Sequence, residues 1–164
     1  MQLYIPEIGD HIELMSDWNF TLYDEYRNEK MWNLLNCSEN PDVMHSLNIR
    51  KSASDDLEAL YSKYRNLVQN YRSHIDKWSD EDIELSNKLS DLRRKEISCA
   101  VTLPKSSILS FDRIYIRKGA SDYSSISFYL KFHPKLHLKR KPRFWAKLED
   151  CNTMEYQKTE PTVK

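Results

Sequence analysis

LPKSSILSFDRIYIRKGASDYSSISFYLKF, residues 103–132, is the stretch whose reading decides the fold. It holds two runs of β-branched and aromatic residues, 108–117 and 126–132, on either side of a linker that contains Gly119. Ile126, Phe128, Leu130 and Phe132 alternate with Ser127, Tyr129 and Lys131. Successive strand side chains point to opposite faces, so the first set is expected on a core and the second outside it. The first run changes phase. Leu109 and Phe111 fall in one register, Ile114 and Ile116 in the other, and the change lies at Asp112-Arg113. One extra residue there, a β-bulge, would return both isoleucines to the apolar face. Asp112 and Arg113 are then either a surface ion pair at a strand bend or side chains re-aimed toward a ligand, and the bend is the favoured reading. Gly119 suits a turn that needs positive φ.

Immediately before the hairpin the period changes from two to between three and four. Residues 54–78 read as one helix, capped by Ser54, with Asp55, Asp56 and Glu58 at its positive end. Its apolar stripe runs from Leu57 through Tyr64 and Tyr71 to Trp78. Ser79 starts a second helix, with three acids in its first turn and Arg93, Arg94 and Lys95 in its last. Two helices with almost no linker predict a helical hairpin. The stripe is expected as core between them. The alternative makes Tyr64, Tyr71 and Trp78 a partner-binding groove or the seam of a homodimer. Asn40-Pro41 reads as a break, and residues 38–53 as an irregular connection with a single helical turn.

Farther out, residues 3–5 read as a short strand and Gly9-Asp10 as a turn. Ile12 and Leu14, then Trp18, Phe20 and Leu22, show strand alternation. Met31, Leu34 and Leu35 suit a short helix. Phe144, Ala146 and Leu148 give a last strand, and the chain from 150 onward reads as a frayed polar tail. Neither set of strands is large enough alone, so both must join in one sheet with the helices inserted. The expected class is α+β. The expected units are a discontinuous β-domain of residues 1–37 and 99–149, a helical insertion of 38–98, and a tail of 150–164.

IPEIGDHIEL, residues 5–14, resembles the opening of an SH3-like or KOW-type small barrel, where a Gly-Asp turn leads into an alternating strand. SILSFDRIYI and SISFYLKF are similar in style to the middle hairpin of that barrel. The resemblance covers roughly residues 3–24 and 101–148. It implies a small antiparallel SH3-like barrel or curled sheet with an inserted two-helix hairpin, binding through its loops and sheet faces. The short, aromatic-rich chain also looks like accessory proteins of bacteriophages and mobile elements, which implies a regulator or an inhibitor or adaptor of a host protein, acting in the host cytoplasm.

Composition narrows the function. Of 164 residues 40% are hydrophobic, enough for a core. Two glycines in the whole chain argue against a glycine-rich phosphate loop. Cys37, Cys99 and Cys151 are far apart and odd in number, which argues against a disulfide framework and suits a reducing cytoplasm. No apolar run reaches membrane-spanning length, so no membrane partner is expected. No metalloprotease, nucleophile-elbow or P-loop motif occurs, so neither an enzyme nor a cofactor is expected. Asp10, Glu13, Asp17, Asp24 and Glu25 are dense; an acidic face is favoured over a magnesium-dependent nuclease site. Pro134 keeps His133 and His137 from one helical face, against a metal site.

Charge carries the strongest functional signal. The first fifty residues hold nine acids against three bases, and residues 99–164 hold thirteen bases against six acids. Within that half, Lys131, Lys135, Lys139, Arg140, Lys141, Arg143 and Lys147 occur among 17 residues with no acid between them. His133 and His137 are expected to add charge below neutral pH. Cations neutralise phosphates and aromatic rings stack on bases. The expected function is binding of DNA or RNA by Lys131, Lys135, Lys139, Arg140, Lys141, Arg143 and an outward Trp145. Binding an acidic protein surface is the rival reading of this run, and the alternative function is a protein-interaction module, an inhibitor or adaptor, that holds its partner through the helical hairpin or the acidic region from Asp10 to Glu25.

Overall fold

The computed structural model describes residues 6–68, 78–119 and 124–160. The strand expected at 3–5, and Tyr71, lie outside the described residues. The chain forms two compact units, Met1–Ser38 with Ser98–Lys164, and Glu39–Ile97. It is an α+β protein with antiparallel sheets.

In the first unit β1 (His11–Leu14) and β2 (Trp18–Tyr23) keep the alternation seen in the sequence. Gly9 takes φ +92° in the turn before β1, and its N–H donates to Phe111 O at 2.8 Å. A 3-10 turn, Tyr26–Asn28, leads into α1 (Glu29–Leu34), whose Met31 and Trp32 are buried. After the helical unit come β3 (Ser98–Leu103), β4 (Ile108–Tyr115), β5 (Ser125–Phe132) and β6 (Arg143–Lys147). Then follow α4 (Leu148–Cys151) and β7 (Tyr156–Thr159). The strands do not share one sheet. Five are ordered β6-β5-β4-β1-β7, and β2 pairs with β3 separately. Each sheet joins early and late strands, but among the described residues no ladder closes a barrel. The core includes Trp18 and Phe20 of β2 with Phe128 of β5 and Phe144 of β6, their ring centroids 4.2–6.4 Å apart.

The hairpin ladder skips twice. Phe111 pairs with Phe128 and Arg113 with Ser127, so Asp112 is the extra residue at the expected bulge. Ile108 pairs with Phe132 and Leu109 with Leu130, which leaves Lys131 as a second. The bulge at Asp112 does not return the isoleucines to the core. Ile114 is 38% and Ile116 72% exposed, because no layer of described residues covers that end of the hairpin. Phe132, beyond the second skip, is also exposed.

The polar tail is also corrected. Asp150 Oδ2 accepts from Thr21 N–H at 3.1 Å, and its carbonyl accepts from the Trp18 indole at 2.9 Å. Met15 N–H donates to Glu155 O, and β7 pairs along the whole of β1. An edge strand exposed to water needs no apolar alternation, so YQKT carries none.

In the second unit residues 41–53 are helical, and α2 runs Pro41–Val68. Asn40 Oδ1 accepts from the N–H groups of Asp42 and Val43, and Pro41 occupies the first helical position, where a missing N–H costs nothing. The Asn-Pro pair is therefore a start signal. Ser54 lies inside the helix, its hydroxyl donating to Arg50 O at 2.9 Å. Ser79 does cap α3 (Asp80–Arg94), accepting from Asp82 N–H. Ala53, Leu57 and Leu89 form the contact between the helices, with Leu92 packed against it.

Candidate nucleic-acid interface

The basic run occupies the end of β5, the loop of residues 133–142, and β6. The loop has a defined shape for local reasons. His133 is buried, and its Nδ1 accepts from the backbone N–H groups of Lys135 and Leu136, both at 3.1 Å. Burial, and then Lys135, hold its imidazole below the ordinary histidine range. His133 thus serves as a turn-former through its unprotonated Nδ1, and its protonation is pushed to lower pH than that of an ordinary histidine. At the other end of the loop Leu130 N–H donates to Pro142 O at 2.9 Å.

Lys135, Lys139, Arg140 and Lys141 are exposed on this loop. Among the described residues no carboxylate forms an ion pair with any of the four. A groove of about 520 Å³ lies beside it. The loop supplies His137, Leu138, Lys139, Arg140 and Pro142, and α1 supplies Lys30, Asn33 and Leu34. Nothing in the sequence ties α1 to the loop; the two meet because both adjoin β6.

The remaining members of the run are placed differently. Lys131 is half-buried at its bulge, held below the ordinary lysine range first by burial and then by Lys141. His11 on β1 is held down by burial and by both of these lysines, against Asp10. Positive charge therefore gathers across the outer sheet face near His11. Arg143 is neutralised: its Nε and Nη2 donate to Asp112 Oδ2 at 2.7 and 2.6 Å. The partner of Asp112 is Arg143 and not Arg113, since the bulge turns the carboxylate toward β6.

Trp145 does point away from the core, as expected, but its ring is engaged. Tyr23 stacks on it at 5.3 Å and 1°, and the Arg27 guanidinium lies 5.4 Å from its centroid. Asn28, fully buried, fixes this corner. Its Oδ1 accepts from Trp145 N–H at 2.9 Å and its Nδ2 donates to Tyr23 O at 3.1 Å. Glu25 pairs with Arg27 at 2.6 Å. Burial pushes the Glu25 carboxyl up, but Arg27 and the nearby Trp145 indole outweigh it and leave it below the ordinary range. The indole N–H closes no hydrogen bond of ordinary geometry.

The acidic residues are dispersed rather than gathered. Asp10 caps the turn at Glu7 and pairs with Lys158, Asp17 accepts from Lys105 N–H, and Glu13 accepts from Gln157. Among the described residues no three His, Cys, Asp or Glu side chains could hold a metal ion. No helix of the described residues is long and apolar enough to cross a membrane.

In the helical unit Tyr64 is buried and stacked on Trp78 at 4.4 Å and 12°. Its hydroxyl donates to Asp82, which also pairs with Lys63 at 2.9 Å. Tyr64 is therefore held within its own unit, and one side of it still lines the groove described next. Trp78 is half-buried and, with Tyr61, borders a groove of about 540 Å³.

No family model matches the chain, and neither a curated protein nor a solved structure does.

Proposed function

We propose that this chain is a non-enzymatic nucleic-acid-binding protein that engages its ligand through the loop of residues 133–142. The observation that carries the reading is the set of four exposed cations, Lys135, Lys139, Arg140 and Lys141, without carboxylate partners among the described residues. Lys141 crowds Lys131, and both crowd His11, so the patch is one whose repulsion an incoming polyanion relieves. Lys30 extends the patch from α1. Arg143 and Trp145 support the surface from below through Asp112 and Tyr23, and are not themselves the contacts. The likeness of the strand sequences to SH3-like and KOW-type barrels agrees with binding by a loop and sheet face, by analogy alone. A regulatory role in a phage-like setting belongs to the same proposal.

The test is a pull-down of tagged protein from cells, with and without nuclease. Recovery of DNA or RNA that nuclease removes supports the reading. Recovery of a protein partner insensitive to nuclease, with no nucleic acid, would replace it by the protein-interaction alternative.

A further inference from the structure

We infer that the ligand of the groove beside the basic loop is single-stranded, and that one nucleotide seats its base in that groove; this rests on the nucleic-acid reading above. The groove, at about 520 Å³, falls in the size range of small-ligand clefts and has room for a nucleotide. Its lining divides by chemistry. Leu34, Leu138 and Pro142 give an apolar floor, which suits the face of a base. Lys30, Lys139 and Arg140 stand as cations around it, where the phosphates on either side of a seated base would lie. Asn33 and His137 are exposed, and among the described residues no side-chain hydrogen bond occupies either, so both can meet a base edge.

A duplex fits this surface poorly. Its bases are stacked inside, so it would cover the cations and leave the apolar floor facing water. Lys139 and Arg140 also sit on a loop rather than on a helix or two-stranded ribbon that would enter a major groove. α1 has only six residues and is spent on one wall of the groove. The loop is already shaped by His133 and by the bond from Leu130 to Pro142, so the seat exists before ligand arrives.

The test is fluorescence anisotropy at about 50 mM salt with labelled DNA and RNA strands of roughly twelve nucleotides, and the DNA duplex of the same sequence. Single strands are expected to bind at least about tenfold tighter than the duplex. Asn33→Ala, at an exposed position, and Leu138→Ala should each weaken strand binding by about threefold or more and leave duplex binding unchanged. If the duplex binds as tightly as the strands, or both variants bind strands like the parent, the seated-base inference fails while the basic loop stands. If neither strand nor duplex binds, both readings fail together.

Discussion

Asn28→Ala removes a side chain that joins three elements. Its two hydrogen bonds run to a backbone donor, Trp145 N–H, and a backbone acceptor, Tyr23 O, so the orientation of the amide is fixed by its partners. Asn28 is fully buried, and alanine leaves Trp145 N–H without a replacement, whereas Tyr23 O keeps the bond it accepts from Glu25 N–H at 2.9 Å. An orphaned backbone group costs about 1–3 kcal/mol, and the expected loss is of that size. Urea unfolding followed by tryptophan fluorescence reads this directly, and in a chain of this length it corresponds to roughly 2–12 °C in Tm. Asn28→Asp separates hydrogen bonding from volume. The carboxylate keeps the acceptor for Trp145 but faces the Tyr23 carbonyl, so at neutral pH it should cost at least as much as alanine. On acidification the protonated acid can donate to Tyr23 O, and stability should return relative to the alanine variant. An alanine variant within about 0.5 kcal/mol of the parent would refute the reasoning. So would an aspartate variant whose deficit does not change with pH.

Other expectations follow from burial and protonation. Phe128→Ala should cost about 3–5 kcal/mol because Phe128 is fully buried, whereas Phe132→Ala, in the same strand phase by sequence, should cost under about 1 kcal/mol; equal losses in urea titrations would contradict the skipped register at Lys131. His133 and His11 are both held below the ordinary value of 6.5, so the unfolded chain takes up protons first as pH falls. The stability they give above that value should therefore decline between pH 7 and pH 5, and His133→Asn, whose Oδ1 can replace Nδ1 as acceptor, should flatten the decline; an unchanged slope counts against the neutral turn-former. Cys37, Cys99 and Cys151 are all buried, and burial pushes the Cys37 and Cys151 thiols up to about 12, with Cys99 and Asp150 adding to the respective shifts. A thiol reagent at mild alkaline pH should leave the native thiols largely unmodified and react with all three in denaturant; rapid native reaction would place them elsewhere.

The sequence made some of this legible and hid the rest for identifiable reasons. Period-two alternation marks β1, β2 and β5, and the phase change in β4 marks the bulge at Asp112, because a buried face imposes its pattern directly. It says nothing about where the covering layer ends, so Ile114 and Ile116 read as core and stand exposed. Asn40-Pro41 shows that one dipeptide can end a helix or begin one: without the contacts of Asn40 Oδ1, the two cannot be told apart. β7 is silent because a water-exposed edge strand has no pattern to show. For the candidate site, the run of cations is plain, but its division is not. Arg143 is withdrawn by Asp112, 31 residues away, and Trp145 by Tyr23, both through pairings that only the sheet creates. Lys30, Asn33 and Leu34 give no local signal, since one lysine on a short helix is an ordinary surface residue.

The central claim is that the loop of residues 133–142 binds nucleic acid through its exposed cations. The most direct measurement is the affinity for a labelled single strand as a function of salt, for the parent and for the double charge reversal Arg140→Glu/Lys141→Glu. Four phosphate contacts predict a log–log slope of about −3 for the parent, and the double variant should show about half that slope and an affinity lower by about a hundredfold. No binding by the parent at about 50 mM salt, or equal affinity and slope in the two proteins, would contradict the claim.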